Sequence, residues 1–246
     1  MEVKNNPAGR LHDLLSAARN QNGKESARKA WAAVFGIEPD DTGALLKMLA
    51  DLIDLVHETK TSIQRLDDVN HQLHLKPFKK IEALLSQLNL EAGWEHSKAQ
   101  LDEPTLYGLQ FSSDKLSRIS GFTQIANDEI SLLRKQLDDL VSSVVDSNLP
   151  QDVKFLLLRN LEAIRHALLA YRVRGIEGLQ EEVERSLGSV MLHRDEIAAS
   201  KNKPEERKVW ETFFKLVEQL NKVVTLARNS KELAAPAIQA ITQLFG

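Results

Sequence analysis

The chain of 246 residues contains no cysteine. This absence excludes disulfide frameworks, thiolate nucleophiles and cysteine-based zinc sites, and it fits a reducing compartment. Glycine and proline are few, with 11 and 7 residues, and aromatic residues make up only 5% of the chain. No apolar run approaches the ~20 residues that span a bilayer, and the N-terminus lacks the apolar core of a signal peptide. We therefore expect a cytoplasmic protein that does not enter a membrane.

An excess of charge of one sign is also missing. The chain has 32 Lys and Arg against 35 Asp and Glu, which gives a net charge of −3. Nucleic-acid binding would therefore need a local basic cleft, because no global field attracts phosphate. Neither of the common glycine-rich phosphate loops occurs, so chemistry that depends on ATP, GTP or NAD is not expected. We expect no cofactor.

Apolar residues recur at a spacing of three and four almost everywhere, and no stretch alternates as a half-buried strand does. The pattern predicts an all-α fold: one or two antiparallel helical bundles with about nine or ten helices and no sheet. Ser120-Gly121 marks a predicted boundary between an N-terminal helical region, 1–120, and a C-terminal bundle, 121–246. One continuous domain is the alternative.

Two features of the N-terminal region attract attention. Lys76, Lys79 and Lys80 form a small basic patch beside Phe78, which is typical either of a nucleic-acid contact or of a solvated helix start. The segment 94–120 has a less regular pattern because it contains Pro104 and Gly108. We predict shorter helices there, packed by aromatic residues, which could also line a pocket.

The C-terminal region has cleaner helical patterning. One helix is predicted over 152–171, with Gly175 as the residue that terminates it. The next helix is predicted over 176–199. Gly178 and Gly188 inside that second helix predict a close helix crossing. A last amphipathic segment, 233–245, is apolar enough to need a partner surface.

The helix at 152–171 carries the string R-N-x5-H, formed by Arg159, Asn160 and His166. Seven steps of ~100° bring His166 to within ~20° of Arg159, about 10.5 Å further along the axis. Both residues are predicted to point away from the apolar seam of the helix. Asn160 lies ~40° from the centre of that seam, which favours a buried hydrogen-bonding role.

This string resembles the catalytic signature of the HEPN superfamily, a group of all-α domains in which an Arg precedes a His on one helix. The resemblance implies metal-independent RNA cleavage in a cleft between two protomers. It gives His166 the proton transfer at the ribose 2′-hydroxyl, Arg159 the scissile phosphate, and Asn160 the orientation of either group. Arg165, Arg172 and Arg174 would form the basic, RNA-binding rim. A solvated or interface stripe with local charge pairing is the alternative interpretation.

Metal binding has one candidate. His71 and His74 have the i,i+3 spacing that places two imidazoles on one helix face, and Asp67 and Asp68 lie just upstream. No further histidine or carboxylate motif completes a ligand set, so a polar connection between helices explains these residues better. We expect no metal site.

These observations predict a non-enzymatic cytoplasmic helical protein that acts through protein–protein association, because long helical seams suit helix-to-helix recognition. The partner would be a second copy in a homodimer or another protein, and RNA would be a partner only of a ribonuclease. The general style resembles accessory or regulatory subunits of bacterial toxin–antitoxin or antiviral systems. The alternative is a HEPN-like endoribonuclease that uses Arg159 and His166.

Overall fold

The computed structural model describes residues 6–118, 125–199 and 203–228. In these ranges the chain forms twelve helices and no strand, with a single isolated bridge between Ser26 and Gly93. The predicted all-α class is confirmed. The chain divides into two compact units: described residues 6–118 and 172–175 belong to the N-terminal unit, and 125–171, 176–199 and 203–228 to the C-terminal unit.

Seven helices build the main part of the N-terminal unit. They are α1 (Pro7–Arg19), α2 (Ala27–Phe35), α3 (Thr42–Gln64), α4 (His71–Leu75), α5 (Phe78–Ser86), α6 (Trp94–Lys98) and α7 (Glu103–Ser117). Helix α1 lies at the centre, because it packs against α2, α3 and α7. Its apolar face is fully buried, with Leu11, Leu14 and Leu15 no more than 2% exposed.

Short polar side chains cap the N-termini of four of these helices. Asn6, Ser26, Asp41 and Asp102 each accept a hydrogen bond from a backbone N–H in the first turn of α1, α2, α3 and α7. Such caps satisfy backbone donors that have no partner inside the helix. Gly36 ends α2 in the left-handed conformation, with φ of 71°, which glycine adopts without steric cost.

The predictions for the segment 94–120 hold only in part for the residues that are described: two helices of five and fifteen residues are present, but the role expected of Pro104 and Gly108 differs. Pro104 and Gly108 do not interrupt a helix, since α7 runs continuously from Glu103 to Ser117 with Pro104 in its first turn. A proline is tolerated there because the first-turn N–H groups have no helical acceptor. Aromatic packing is also only partly present: Trp94 is buried, whereas Tyr107 and Phe111 are exposed.

Five helices reach into the C-terminal unit: α8 (Asn127–Asp146), α9 (Gln151–Leu169), α10 (Tyr171–Leu192), α11 (Arg194–Ala199) and α12 (Pro204–Arg228). Helix α8 packs against both α9 and α12. Its buried seam consists of Ile130, Leu133, Leu137, Leu140 and Val144, as the 3-4 spacing predicts. An aromatic group on α12, formed by Trp210, Phe213 and Phe214, has ring centroids 5.8 Å apart.

The connection from α9 to α10 differs from the prediction. Helix α9 ends at Leu169, and Tyr171 already begins α10, so Gly175 does not end α9. Gly175 instead forms a break inside α10, with φ of 64° and ψ of −156°, which a side chain would resist. Gly188 is exposed and a Cβ there would meet nothing within 4 Å, so the close crossing predicted at this glycine is wrong.

Residues 172–175, just before this break, belong to the N-terminal unit. The buried Arg10 of α1 donates from Nε to the backbone oxygen of Val173 at 3.0 Å. Arg172 donates to the backbone oxygen of Val34 at 3.3 Å, and Arg174 lies 3.8 Å from a carboxylate oxygen of Asp51. These three contacts attach the segment to α1, α2 and α3.

Among the helices of the described ranges, none combines the length and the apolar character that crossing a bilayer requires. The predicted boundary at Ser120-Gly121 and the predicted last helix, 233–245, lie outside the described residues.

Candidate functional site

The R-N-x5-H string lies on α9, which is continuous through it. Arg159 is exposed and His166 is half-buried, whereas Asn160 is only 6% exposed. Asn160 donates from Nδ2 to the backbone oxygen of Leu156 at 2.7 Å and to Ser189 Oγ at 3.1 Å. The buried hydrogen-bonding role predicted for Asn160 is confirmed.

Arg159 and Asn160 converge on a residue that the sequence did not single out. Arg159 donates from Nη2 to Ser189 Oγ at 3.3 Å, so both side chains reach the same hydroxyl on α10. His193, one turn beyond Ser189, donates from Nδ1 to the Ser189 backbone oxygen at 2.8 Å. This network ties α9 to the end of α10. Nothing in the sequence pattern indicates it, because its two halves lie about thirty positions apart on separate helices.

The three arginines predicted to form a basic rim are engaged in contacts within the chain. Arg165 pairs with Glu162 on the same helix and with Asp138 of α8, the second at 2.8 Å. Arg172 and Arg174, which belong to the N-terminal unit, contact Val34 and Asp51 of that same unit. The pair between Arg165 and Glu162 is the local i,i+3 pairing expected of a surface stripe.

The paired histidines also have local partners. His71 Nε2 lies 2.9 Å from the backbone oxygen of Leu66, and His74 Nδ1 lies 2.9 Å from Ser112 Oγ. The parts of the chain that the structure describes contain no group of three or more residues placed to hold a metal ion.

A groove in the N-terminal unit brings together two features that are far apart in the sequence. It has a volume of about 720 Å³ and lies between α4, the start of α5, and α7. Its apolar surface comes from Leu73, Pro77, Pro104, Tyr107 and Phe111, and its charged edge from Lys76, Lys79, Lys80 and Lys115. We call this surface the lysine-rimmed groove. It joins the basic patch and the aromatic segment noted in the sequence.

The apolar side chains of the groove are unusually open to solvent. Leu73 is 63% exposed, Tyr107 is 54% exposed and Phe111 is 68% exposed. Tyr107 and Phe111 lie one turn apart on α7, so they share one face of that helix. Single exposed apolar residues are common, but a contiguous group rimmed by charge is typical of a binding surface.

A close approach of α7 to the start of α5 forms the floor of the groove. A Cβ at Gly108 would lie 2.4 Å from Cγ of Pro77, so only glycine allows this contact. Ser112, one turn further, donates to the Gly108 backbone oxygen at 2.9 Å. Because that bond uses the one hydroxyl proton, Ser112 Oγ accepts from Nδ1 of His74. The groove is therefore formed by specific packing contacts between these helices.

The charges around the groove do not cancel. Lys80 pairs with Asp102, and Asp114 pairs with Arg118 at 2.7 Å. The other lysines, Lys76, Lys79 and Lys115, are exposed and have no ion-pair partner among the described residues. Three uncompensated positive charges thus surround an apolar surface in a chain whose net charge is −3.

Burial lowers the pKa of His74 below 6.5, and the electrostatic interactions with Lys115 and then with His71 lower this pKa further. The imidazole is thus kept neutral at neutral pH. Hydrogen bonds from Lys80 and Thr105 act at the other side of the groove. Although burial raises the pKa of Asp102, these bonds outweigh that effect, so this pKa lies below its usual value. Asp102 therefore stays ionised and caps α7.

The state of His74 gives the first prediction. We expect NMR titration to place the pKa of His74 below 6.5, and Lys115→Ala to raise it, because a like charge is removed. Lys79→Ala is the matched control and should leave the pKa unchanged. The unfolded chain binds the proton more tightly, so this contribution to stability is complete above pH 6.5 and is lost as the pH falls through the folded pKa. A His74 pKa above 6.5 would contradict the prediction.

A second cleft, of about 660 Å³, lies between α8 and α12 of the C-terminal unit. Its charged side chains have both signs: Asp139, Asp146 and Glu205 face the same space as Lys208 and Lys215. A mixed lining of this kind selects no ligand charge, so the lysine-rimmed groove is the stronger candidate site.

In the described ranges the chain is all-α, and its N-terminal unit carries an exposed groove with an apolar surface and a basic edge. Comparison of the chain with protein-family models, with curated proteins and with solved structures finds no match.

Proposed function

We propose that this protein acts by association with another protein and that the lysine-rimmed groove is where the partner docks. The observation that carries the proposal is the exposure of Leu73, Tyr107 and Phe111 side by side. Covering large apolar side chains is favourable by roughly 25 cal/mol per Å² removed from water. Aromatic anchors of this kind supply most of the binding energy in protein interfaces.

The shape of the groove favours a helix as the docking element. Both walls are helical, since α4 and α5 form one and α7 the other. Between such walls an amphipathic helix can insert its apolar face, with anchors at i, i+3 or i+4, and i+7. The parts of the chain that are described offer no strand to which a partner could add.

Site-specific photo-crosslinking in the cells that make the protein tests the proposal. A photoreactive aromatic residue replaces Phe111 in one variant, and Ile53 in the matched control. Ile53 is also exposed, at 53%, and belongs to the same unit, but it does not line the groove. We expect a discrete adduct with another polypeptide at position 111 and none at position 53.

A second substitution makes that result specific. Leu73→Asn replaces an apolar contact opposite the photoreactive residue by an amide, and it should abolish the adduct because burying an unpaired polar group is costly. Mass spectrometry of the adduct distinguishes another protein from a second copy of this chain. Identical adducts at positions 111 and 53, or no adduct at either, would refute the proposal.

A metal-independent ribonuclease is the second candidate function. It is favoured by the placement of Arg159 and His166, both of which lie on the side of α9 away from its buried seam. In this candidate Asn160 acts through its bonds to Leu156 and Ser189 and does not reach RNA. A dimer would complete the cleft. It ranks second because Arg165 is already paired with carboxylates.

Incubation with total RNA in EDTA separates the two candidates. We expect no cleavage by the purified wild-type protein, by His166→Ala, or by the control His96→Ala. Cleavage that is present in wild type and in His96→Ala but lost in His166→Ala would assign the protein to the ribonucleases. The loss would follow from the removal of a side chain that transfers protons near neutral pH.

A further inference from the structure

We infer that the partner segment recognised by the lysine-rimmed groove is an acidic amphipathic α-helix, with apolar residues on one face and carboxylates along both edges of that face. This inference rests on the proposed function and specifies the chemistry of its partner. It depends on the placement of three unpaired lysines around the exposed apolar side chains.

The positive charges around the groove favour a partner with negative charge. Lys76 and Lys79 stand on one wall of the groove and Lys115 stands on the other, and none of them has a carboxylate partner among the described residues. A helix lying between the walls would bring carboxylates on its two edges near these ammonium groups. Each rim pair of this kind adds little affinity by itself, but together they steer association and fix the orientation.

The length of the groove sets the length of the segment. Its α7 wall extends from Pro104 to Lys115, eleven steps that correspond to about 16 Å of helix. A partner helix of about three turns covers this distance. Three apolar side chains, spaced by one turn each, would then meet Leu73, Tyr107 and Phe111.

The lining favours a peptide over single-stranded RNA. Bases need aromatic platforms and a run of cationic contacts, because every nucleotide brings a charge. Here Leu73, Pro77 and Pro104 supply much of the apolar surface, and the carboxylates of Asp102 and Asp114 also lie at the groove or its edge. An acidic helix presents only a few charges and a continuous aliphatic face, which matches this composition.

Selection from a displayed library of amphipathic helices tests the inference on the full-length protein. The helices are about sixteen residues long, with Leu, Ile, Met or Phe at the face positions. The edge positions carry Asp, Glu, Gln, Lys or Arg in equal proportion. Binders kept for sequencing are those recovered on wild type and not on Phe111→Ala, which adds no charge, so that every sequence counted depends on the groove.

We expect Asp and Glu to occupy the edge positions at least about tenfold more often than Lys and Arg among these binders. The triple variant Lys76→Glu/Lys79→Glu/Lys115→Glu should reverse this preference, and the corresponding triple change to Gln should abolish it. Lys47→Glu changes an exposed lysine outside the groove and should leave the preference intact. Circular dichroism confirms that each variant is folded.

Three outcomes would overturn the inference: groove-dependent binders with neutral or basic edges, no groove-dependent binder at all, or tighter binding of a mixed-sequence single-stranded RNA that is lost in the same variants. Crosslinking separates its failure from that of the proposed function. A partner adduct at position 111 without any preference for acidic edges would leave protein association standing and refute only the acidic helix.

Discussion

Replacement of Trp94 by alanine is expected to lower the free energy of unfolding of the N-terminal unit by about 4 to 5 kcal/mol, among the largest effects of any single change. Trp94 is 0% exposed, and its ring meets that of Trp31 edge-on, with centroids 5.6 Å apart. The indole N–H donates to the backbone oxygen of Ala18 at 2.8 Å. The alanine variant loses both the packing and this bond, and it leaves a cavity.

Two phenylalanine variants divide this effect into its parts. Trp94→Phe keeps most of the ring volume but removes the bond to Ala18, which contributes about 1 kcal/mol. Trp31→Phe is the matched control, because Trp31 is equally buried and its indole N–H has no hydrogen-bond partner among the described residues. It removes an unpaired buried donor, so we expect it to destabilise the unit less than Trp94→Phe does.

Hydrogen exchange followed by mass spectrometry measures these effects separately in the two units, which a single unfolding curve would merge. In Trp94→Ala, exchange should accelerate in α1, α2 and α6 and remain unchanged in α8 and α12. Equal effects of Trp94→Phe and Trp31→Phe would show that the bond to Ala18 contributes nothing.

Periodicity and capping residues predicted much of the fold. The all-α class follows from the spacing of apolar residues. Asp41 is of a residue type that favours helix starts, and its side chain accepts from the Ala44 N–H at the start of α3. The end of α9 was harder to predict from the sequence. Its apolar pattern continues through Leu168 and Tyr171, so only the backbone geometry shows that α9 stops at Leu169 and that the break comes at Gly175. Tertiary packing determines where such helices end, and the apolar pattern of a single helix carries no information about that packing.

The lysine-rimmed groove was only half visible in the sequence. The basic patch at Lys76 and the aromatic segment around Phe111 each stand out, but their meeting depends on the contact between Pro77 and Gly108. A glycine inside a helical pattern usually indicates an interruption, whereas Gly108 permits a close approach of two helices. The open position of Phe111 was equally hidden, because aromatic residues at helical spacing are usually core residues.

For the R-N-x5-H motif on α9, the positions of the residues could be predicted from the sequence but their partner could not. The angular positions of Arg159 and Asn160 follow from helix geometry alone, and the structure confirms that Asn160 is buried. The partner of both residues, Ser189, comes from another helix and could not be predicted. The association and ribonuclease hypotheses therefore depend on different sets of residues. In each set, only the tertiary structure brings the residues together.

Removal of the Arg10 side chain is the second change with a large expected effect. Arg10 is 2% exposed, and it donates from Nη2 to both carboxylate oxygens of Glu58 at 3.1 Å and from Nε to the Val173 backbone oxygen. We expect Arg10→Met to lower the free energy of unfolding of the N-terminal unit by about 3 kcal/mol. Methionine retains the buried apolar stem but leaves the Val173 oxygen without this donor.

Glu58→Gln provides the comparison that isolates the contact to Val173. Glu58 is 41% exposed, so water can replace part of what the carboxylate loses, and the amide oxygen still accepts from Arg10. This variant should cost only about 1 kcal/mol. Hydrogen exchange at 172–175 should rise strongly in Arg10→Met and little in Glu58→Gln, because only the first change removes the donor that holds Val173. Equal exchange in the two variants would mean that the contacts of Arg172 and Arg174 suffice to hold this segment, and that Arg10 acts only through Glu58.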